Sequence, residues 1–135
     1  MALRGSGGDL SALGVPGVTW EHTPGHAPGH VVYLHSPSGT LLAGDLADVL
    51  RDPPGTAALP DGRPVLPGQT ALYTWTIMAD SDAALAATSL CRVAHDSATF
   101  PYAIVKPYHD ATKAGLTRAQ LQPLAEAAAH CGSKR

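Results

Sequence analysis

The segment from Glu21 to Tyr33 contains three histidines, His22, His26 and His30, at four-residue intervals. A Pro-Gly step precedes both His26 and His30. A helix does not tolerate prolines in its interior, so this spacing does not describe a helical face. It predicts a rigid loop that holds imidazoles in fixed directions and leads into an apolar run. Such rigidity suits a metal site, because the ligands are ordered before the metal binds.

Three polar residues, His26, Asp45 and His109, each follow a predicted strand. Proteins of the α/β class place their sites where strands end and loops begin. Neutral imidazole and carboxylate are ligands for zinc, iron and manganese. The three residues therefore predict an incomplete metal shell. The alternatives are a loop histidine without a role, a carboxylate that caps its loop, and a polar residue at a strand end.

The hydrophobic pattern predicts the elements that position these residues. Short apolar runs predict strands at Gly17–His22, His30–His35, Thr40–Ala43 and Tyr102–Val105. The Ser36-Pro-Ser-Gly39 turn joins the second and third of these strands into a hairpin. From Asp52 to Gln69 the Pro-rich and Gly-rich sequence predicts a long exposed loop.

Two helices are predicted in the second half of the chain. The first covers Ala79–Ala94, with Ser81 as its N-cap. The second is opened by a capping box at Thr117-Arg-Ala-Gln120 and runs to about His130, where Gly132 acts as the stop. The order of strands and helices predicts a mixed α/β layer structure.

Composition narrows the class of protein. The 135 residues fit one domain, and a hydrophobic content of 44% supports a core. The net charge of -2 and the scattered lysines and arginines argue against a nucleic-acid surface. No apolar run approaches the roughly 18 to 20 residues of a membrane span, so no membrane partner is expected.

The remaining histidines and the two cysteines have simpler interpretations. His22 and His35 are expected at the surface or in the hairpin, whereas His95 and His130 lie near helix C-termini, where the dipole favours an imidazolium. The two cysteines, Cys91 and Cys131, are interpreted as reduced thiols of a cytoplasmic protein, with a disulfide as the less favoured alternative.

A resemblance to a known family adds to this interpretation. Thr23-Pro-Gly-His26-Ala-Pro-Gly-His30, an apolar strand and Leu41-Leu-Ala-Gly-Asp45 resemble the central motifs of the metallo-β-lactamase-fold hydrolases, which include glyoxalase II-type thioesterases and lactonases. Ile104-Val-Lys-Pro-Tyr-His109-Asp110 resembles the strand of that family that ends in a ligand histidine. The resemblance covers roughly Val15 to Asp110. It implies half of an αββα sandwich, a mixed sheet with helices on one face.

The resemblance also implies roles for individual residues. His26 corresponds to a ligand of a first metal, His109 to a ligand of a second metal, and Asp45 to the catalytic carboxylate that bridges both. His30 corresponds to a residue that hydrogen-bonds instead of binding metal. Asp110 either orients His109 or serves only in a turn. The metal would be zinc, or iron or manganese, and would activate a water molecule.

One motif of that family, His-x-His-x-Asp-His, does not occur in this sequence, and only 25 residues precede His26. Residues 1–135 are therefore expected to form a single partial domain, the C-terminal half of the family's fold. Each metal would have about two ligands from this chain, where zinc takes three or four. Metal is thus expected to bind weakly or not at all unless another chain contributes ligands.

Two functions follow as expectations. In the first, the chain is a cytoplasmic metal-dependent hydrolase that cleaves an ester, thioester, lactone or related bond in a small-molecule substrate. In the second, it is a non-catalytic half-domain that forms a homodimer or is completed by an N-terminal half. The missing strands motivate the second, because an open sheet face and edge favour association.

Overall fold

The computed structural model describes residues 5–51, 57–59, 62–65, 69–110 and 114–131. Within these ranges the chain forms ten strands and two α-helices. They are β1 (Gly7–Asp9), β2 (Val18–His22), β3 (Val31–His35), β4 (Thr40–Gly44), β5 (Asp48–Arg51), β6 (Ala57–Ala58), β7 (Pro64–Val65), β8 (Thr70–Tyr73), β9 (Ile104–Pro107), β10 (Leu116–Thr117), α1 (Ala83–His95) and α2 (Arg118–Ala129). None of the described helices is long and apolar enough to cross a membrane.

The main sheet has six strands in the order β1-β2-β3-β4-β9-β10. All neighbours are antiparallel except β4 and β9, which are parallel. Because two antiparallel steps restore the strand direction, β2, β4 and β9 run the same way. Their C-terminal ends therefore lie at one edge of the sheet. Two further sheets of two strands each are formed by β5 with β8 and by β6 with β7.

Both helices pack on one face of the main sheet. Alternate residues of the central strands point into a buried core, where they meet the apolar sides of α1 and α2. The buried set includes Val32, Leu34, Leu41, Ala43, Val105, Leu90, Val93, Leu121 and Ala125. On the opposite face, Tyr33 and Leu42 are cross-strand partners, and Leu42 is 49% exposed. The fold is thus α/β, a mixed sheet with helices on one face, as predicted.

Most predicted elements are confirmed with small shifts of their ends. The three strands β2, β3 and β4 lie within one residue of their predicted ranges. The strand β9 begins at Ile104, after Tyr102, because the Tyr102 amide donates to the nearby Phe100 carbonyl and not to a neighbouring strand. The capping box of α2 is present, and His130 ends the helix in a left-handed conformation. Gly132 lies outside the described residues.

Two local predictions are wrong. The helix α1 begins at Ala83 and not at the predicted Ala79. Its N-cap is Asp82, whose side chain accepts from the Leu85 amide, because the Ser81 hydroxyl donates to the His26 carbonyl. The stretch from Asp52 to Gln69 is not simply an exposed loop, since β6 and β7 pair within it and Leu59 is buried. Residues 52–56, 60–61 and 66–68 of this stretch lie outside the described part.

The prediction of two reduced thiols is also wrong. Cys91 and Cys131 form a disulfide, with their Cα atoms 5.3 Å apart. The pairing arises because α1 and α2 pack side by side, which brings together two residues that are 40 positions apart in the sequence. The disulfide therefore links the C-terminal end of the chain's described part to the helix that precedes β9.

Replacing Cys91 and Cys131 together by serine is expected to lower the free energy of unfolding by about 4 kcal/mol, because the cross-link restricts the unfolded chain over a long loop. Urea denaturation of the double variant and of the oxidised wild type measures the difference. Two titratable thiols in the unreduced wild type would contradict the disulfide.

Candidate metal centre

The structure brings His26, Asp45 and His109 together at the edge where β2, β4 and β9 end. The Nε2 atom of His26 lies 3.5 Å from Oδ2 of Asp45. The Nε2 atom of His109 lies 3.7 Å from Oδ1 of the same carboxylate. Each histidine thus faces a different oxygen of Asp45, which lies between them.

These distances suit metal ligation better than direct hydrogen bonding. A strong hydrogen bond between an imidazole and a carboxylate is shorter, at about 2.8 Å. Two ligand atoms on one tetrahedral zinc ion lie roughly 3.4 Å apart, given bonds of about 2.1 Å. Both pairs match that separation, and the donor set of imidazoles and a carboxylate suits zinc, iron or manganese. The residues present therefore fit a divalent cation on either side of Asp45.

The ring of His26 is held in the tautomer that a metal ligand requires. Its Nδ1 atom lies 2.8 Å from the carbonyl oxygen of Trp75, in the segment after β8. Because a carbonyl can only accept, Nδ1 carries the proton and the Nε2 atom of the neutral ring keeps its lone pair. The His26 side chain is only 16% exposed, whereas that of His109 is 60% exposed. Packing therefore orients His26 more firmly than His109.

The loop that carries His26 is hydrogen-bonded to α1 and to the two residues that precede it. The Ser81 hydroxyl donates to the His26 carbonyl, and the Ser89 hydroxyl donates to the Pro24 carbonyl. The Asp82 amide donates to the Gly25 carbonyl at 2.7 Å. Gly25 has a φ of 142°, and a Cβ atom there would lie 2.2 Å from the backbone of α1. Only glycine allows this contact, so the loop position depends on Gly25.

Gly25→Ala is expected to displace the histidine loop from α1 and to destabilise the fold by roughly 1–3 kcal/mol, because the added methyl overlaps helix backbone at a left-handed φ. Gly29→Ala is the matched control in the same loop, where nothing lies within 4 Å of the added Cβ. Thermal unfolding of both variants provides the comparison. Equal melting temperatures would contradict the close packing at Gly25.

His30 fixes the backbone of Asp45 through a hydrogen bond. Its Nε2 atom accepts a hydrogen bond from the Asp45 amide at 3.0 Å, and its Nδ1 atom contacts the hydroxyl and carbonyl oxygens of Thr23. Burial lowers the pKa of His30, which keeps the ring neutral. Gly44 makes room for this arrangement, since a Cβ there would lie 3.0 Å from Nε2. Both ring nitrogens are engaged, so His30 lies where it positions Asp45 and does not face the cleft.

Asp48 and Tyr73 also belong to the site, and the sequence reasoning assigned neither a role. They are cross-strand partners on β5 and β8, and both line the same cleft. Burial raises the pKa of Asp48 and raises that of Tyr73 to about 12. Ligand atoms of Asp45, Asp48 and His109 all lie within 4.8 Å of one another. The sequence contained one indication of a role for Asp48, namely that it lies three residues after Asp45.

Asp110 follows His109 in the sequence and connects this segment to the neighbouring elements. Its Oδ2 atom accepts from the Gly115 amide, and the residue is buried. Backbone pairing with β5 adds a second tie, because the Val49 amide donates to the His109 carbonyl at 2.8 Å. These contacts show how the chain holds the His109 loop; the predicted orienting role of Asp110 stays a prediction.

The other histidines lie outside this cluster. His22 bonds through Nε2 to the Pro28 carbonyl and so braces the histidine loop, while His35 bonds to the Ser38 hydroxyl in the hairpin. His95 and His130 lie at the ends of α1 and α2, as predicted. His95 also approaches Glu126 and Cys131, but the disulfide leaves Cys131 without a thiolate to bind metal.

A cleft of about 690 Å³ opens over Asp45. Besides the metal-ligand candidates, its walls include the aromatic residues Tyr73, Trp75 and Tyr108. Tyr108 is exposed and packs edge-on against His109, with ring centroids 4.7 Å apart. A cleft of this size with a polar cluster at its base and aromatic walls suits a small organic ligand.

Comparison with known proteins identifies the fold. No protein-family model and no curated protein matches the sequence. Among solved structures, DIM-1 metallo-beta-lactamase aligns with a TM-score of 0.51 and 16% identity over 93% of this chain and 47% of that chain. The metallo-beta-lactamase family protein TTHA1429 from Thermus thermophilus gives 0.46 and 21%, over 84% and 30%. TMB-1 gives 0.47 and 14%, over 94% and 47%.

The likeness to DIM-1 shows the fold alone, because the identity is only 16%. The predicted metallo-β-lactamase fold is confirmed at that level. The chain spans less than half the length of each of these neighbours, so their activities do not transfer to it as findings.

Proposed function

We propose that this chain, which has part of the metallo-β-lactamase fold, carries a metal-dependent hydrolase centre for an ester, thioester, lactone or related bond of a small molecule. The observation that carries the proposal is the placement of Asp45. Its two carboxylate oxygens face the ring nitrogens of His26 and His109 at 3.5 Å and 3.7 Å, which is the spacing of shared metal ligands. We propose zinc as the metal, with iron or manganese as alternatives.

The residues of the chain have distinct tasks in this proposal. A bound divalent cation would lower the pKa of a water molecule so that hydroxide is available near neutral pH. Asp45 holds the metal-binding position between the two histidines, and the His30 ring fixes its backbone through the 3.0 Å hydrogen bond. Trp75 and Tyr108 offer apolar contact to the organic part of a substrate in the cleft.

Asp45→Asn is expected to reduce both zinc retention and any hydrolysis by roughly a hundredfold or more, because loss of a residue that merely supports a ligand already costs 10–100-fold. Elemental analysis after purification with zinc measures the first effect. Assays with an ester, a thioester and a lactone, with and without a chelator, measure the second. His35→Ala is the control, since His35 lies in the hairpin away from the cleft. Wild-type zinc at background level would contradict the metal centre.

A second candidate function is that of a non-catalytic half-domain that is completed by another polypeptide. The face of the sheet opposite the helices favours it, because Leu42 is 49% exposed there beside Tyr33. The chain also covers only 47% of the DIM-1 chain. We propose that a second copy, or a complementing N-terminal half, covers this face and can supply further metal ligands.

In isolation the chain is therefore expected to self-associate through the helix-free face. Leu42→Glu should shift the sedimentation coefficient towards that of a monomer, because a carboxylate cannot be buried at an apolar contact without cost. Leu85→Glu is the matched control, since Leu85 is 44% exposed on the helical side. A stable, folded wild-type monomer would overturn the half-domain proposal.

The cytoplasmic location stays a prediction. The disulfide between Cys91 and Cys131 weighs against it, because disulfides persist mainly in oxidising compartments. The fraction of oxidised Cys91, measured by alkylation in intact cells before lysis, distinguishes the two environments.

A further inference from the structure

Asp48 is a buried carboxyl group with an unsatisfied oxygen at the edge of the cleft. The residue is only 7% exposed, and among the described residues its Oδ1 atom has no hydrogen-bond partner. Its cross-strand partner on β8 is Tyr73. A buried carboxylate is costly unless it is fully paired or binds a metal ion. The Oδ1 atom of Asp48 therefore lacks the partner that its burial requires.

The neighbours of Asp48 are ligand atoms. Atoms of Asp45, Asp48 and His109 lie within 4.8 Å of one another, and all three residues line the same cleft. Asp48 thus raises the number of protein ligands on the His109 side of Asp45 from two to three. Three protein ligands with one open position is the pattern of catalytic zinc sites.

We propose that Asp48 is an additional metal ligand, so that Asp45, Asp48 and His109 bind one divalent cation without ligands from another chain. Two carboxylates and one imidazole form a donor set that zinc, manganese or iron accepts. His26 faces the other oxygen of Asp45 and is not needed for this position. The inference rests on the proposed metal centre and does not depend on hydrolysis.

The backbone around Asp48 supports a preformed site. Asp48 is the first residue of β5 and pairs with Tyr73 on β8. The next residue, Val49, bonds through its amide to the His109 carbonyl and forms a parallel bridge with Asp110. The ligand pair Asp48 and His109 is therefore connected through one short stretch of hydrogen-bonded backbone. Such support keeps ligands in place before the metal arrives.

Calorimetric titration of the chelator-treated full chain with zinc, and separately with manganese, tests the proposal. Asp48→Asn should weaken zinc binding at least about tenfold, because an uncharged amide replaces a carboxylate ligand. Asp80→Asn should bind as the wild type does, since Asp80 is exposed and lies outside the cleft. Saturating zinc should raise the melting temperature of the wild type and of Asp80→Asn, and much less that of Asp48→Asn.

A second variant, Asp48→Ser, covers the case in which the asparagine variant does not fold, and metal-free melting curves establish folding for both. His26→Ala should keep wild-type affinity for the first zinc equivalent.

Wild-type zinc affinity in a folded Asp48 variant would overturn the role of Asp48 while leaving the proposed centre intact. Absence of zinc binding by the wild type would overturn both proposals. Loss of the first zinc in His26→Ala with retention in Asp48→Asn would assign the ion to the other side of Asp45.

Discussion

The parallel pairing of β4 with β9 is the constraint on which the candidate centre depends. The two strands lie far apart in the sequence, yet Gly44 pairs with Pro107 and the Tyr108 amide donates to the Gly44 carbonyl at 2.8 Å. Both strands thus end at the same level. Asp45 and His109 follow within two residues of that point, so the register of one strand pair determines whether their side chains meet.

The histidine loop reaches the same edge through a different support. Its position is determined by the N-terminal end of α1. There the Ser81 hydroxyl and the Asp82 amide donate to loop carbonyls, and the Ala86 backbone packs directly against Gly25. The same helix buries Leu90 and Val93 fully against the sheet. Burial of its apolar side chains fixes α1 on the sheet. The polar contacts at its N-terminal end then fix the histidine loop relative to the same sheet. The core and the site are mechanically connected through this helix.

Two features of the structure bear on the proposed half-domain function. The helix-free face of the sheet exposes Leu42, and the ligand candidates that the described residues place on the His26 side of the site are His26 and Asp45. Under that proposal, one complementing segment covers the face and adds ligands, because that face and the ligand edge belong to the same sheet. Asp48 lessens the dependence on such a segment for one of the two positions, since it comes from β5 of this chain.

Local patterns in the sequence were sufficient for the strands β2, β3 and β4, for the capping box at Thr117, and for the placement of His26, Asp45 and His109 at strand ends. These features follow from contacts between near neighbours in the chain, where turn residues, hydrophobic period and capping side chains act within a few positions.

The tertiary structure alone decided the rest. Ser81 and Asp82 are equally suited to cap α1 by residue type, and the choice falls on Asp82 because the Ser81 hydroxyl is bound to the His26 carbonyl, 55 positions away. The partnership of Cys91 with Cys131 and the approach of Asp48 to His109 likewise arise from the packing of distant segments. Such contacts depend on strand register and helix packing, which a single sequence does not encode in any local pattern.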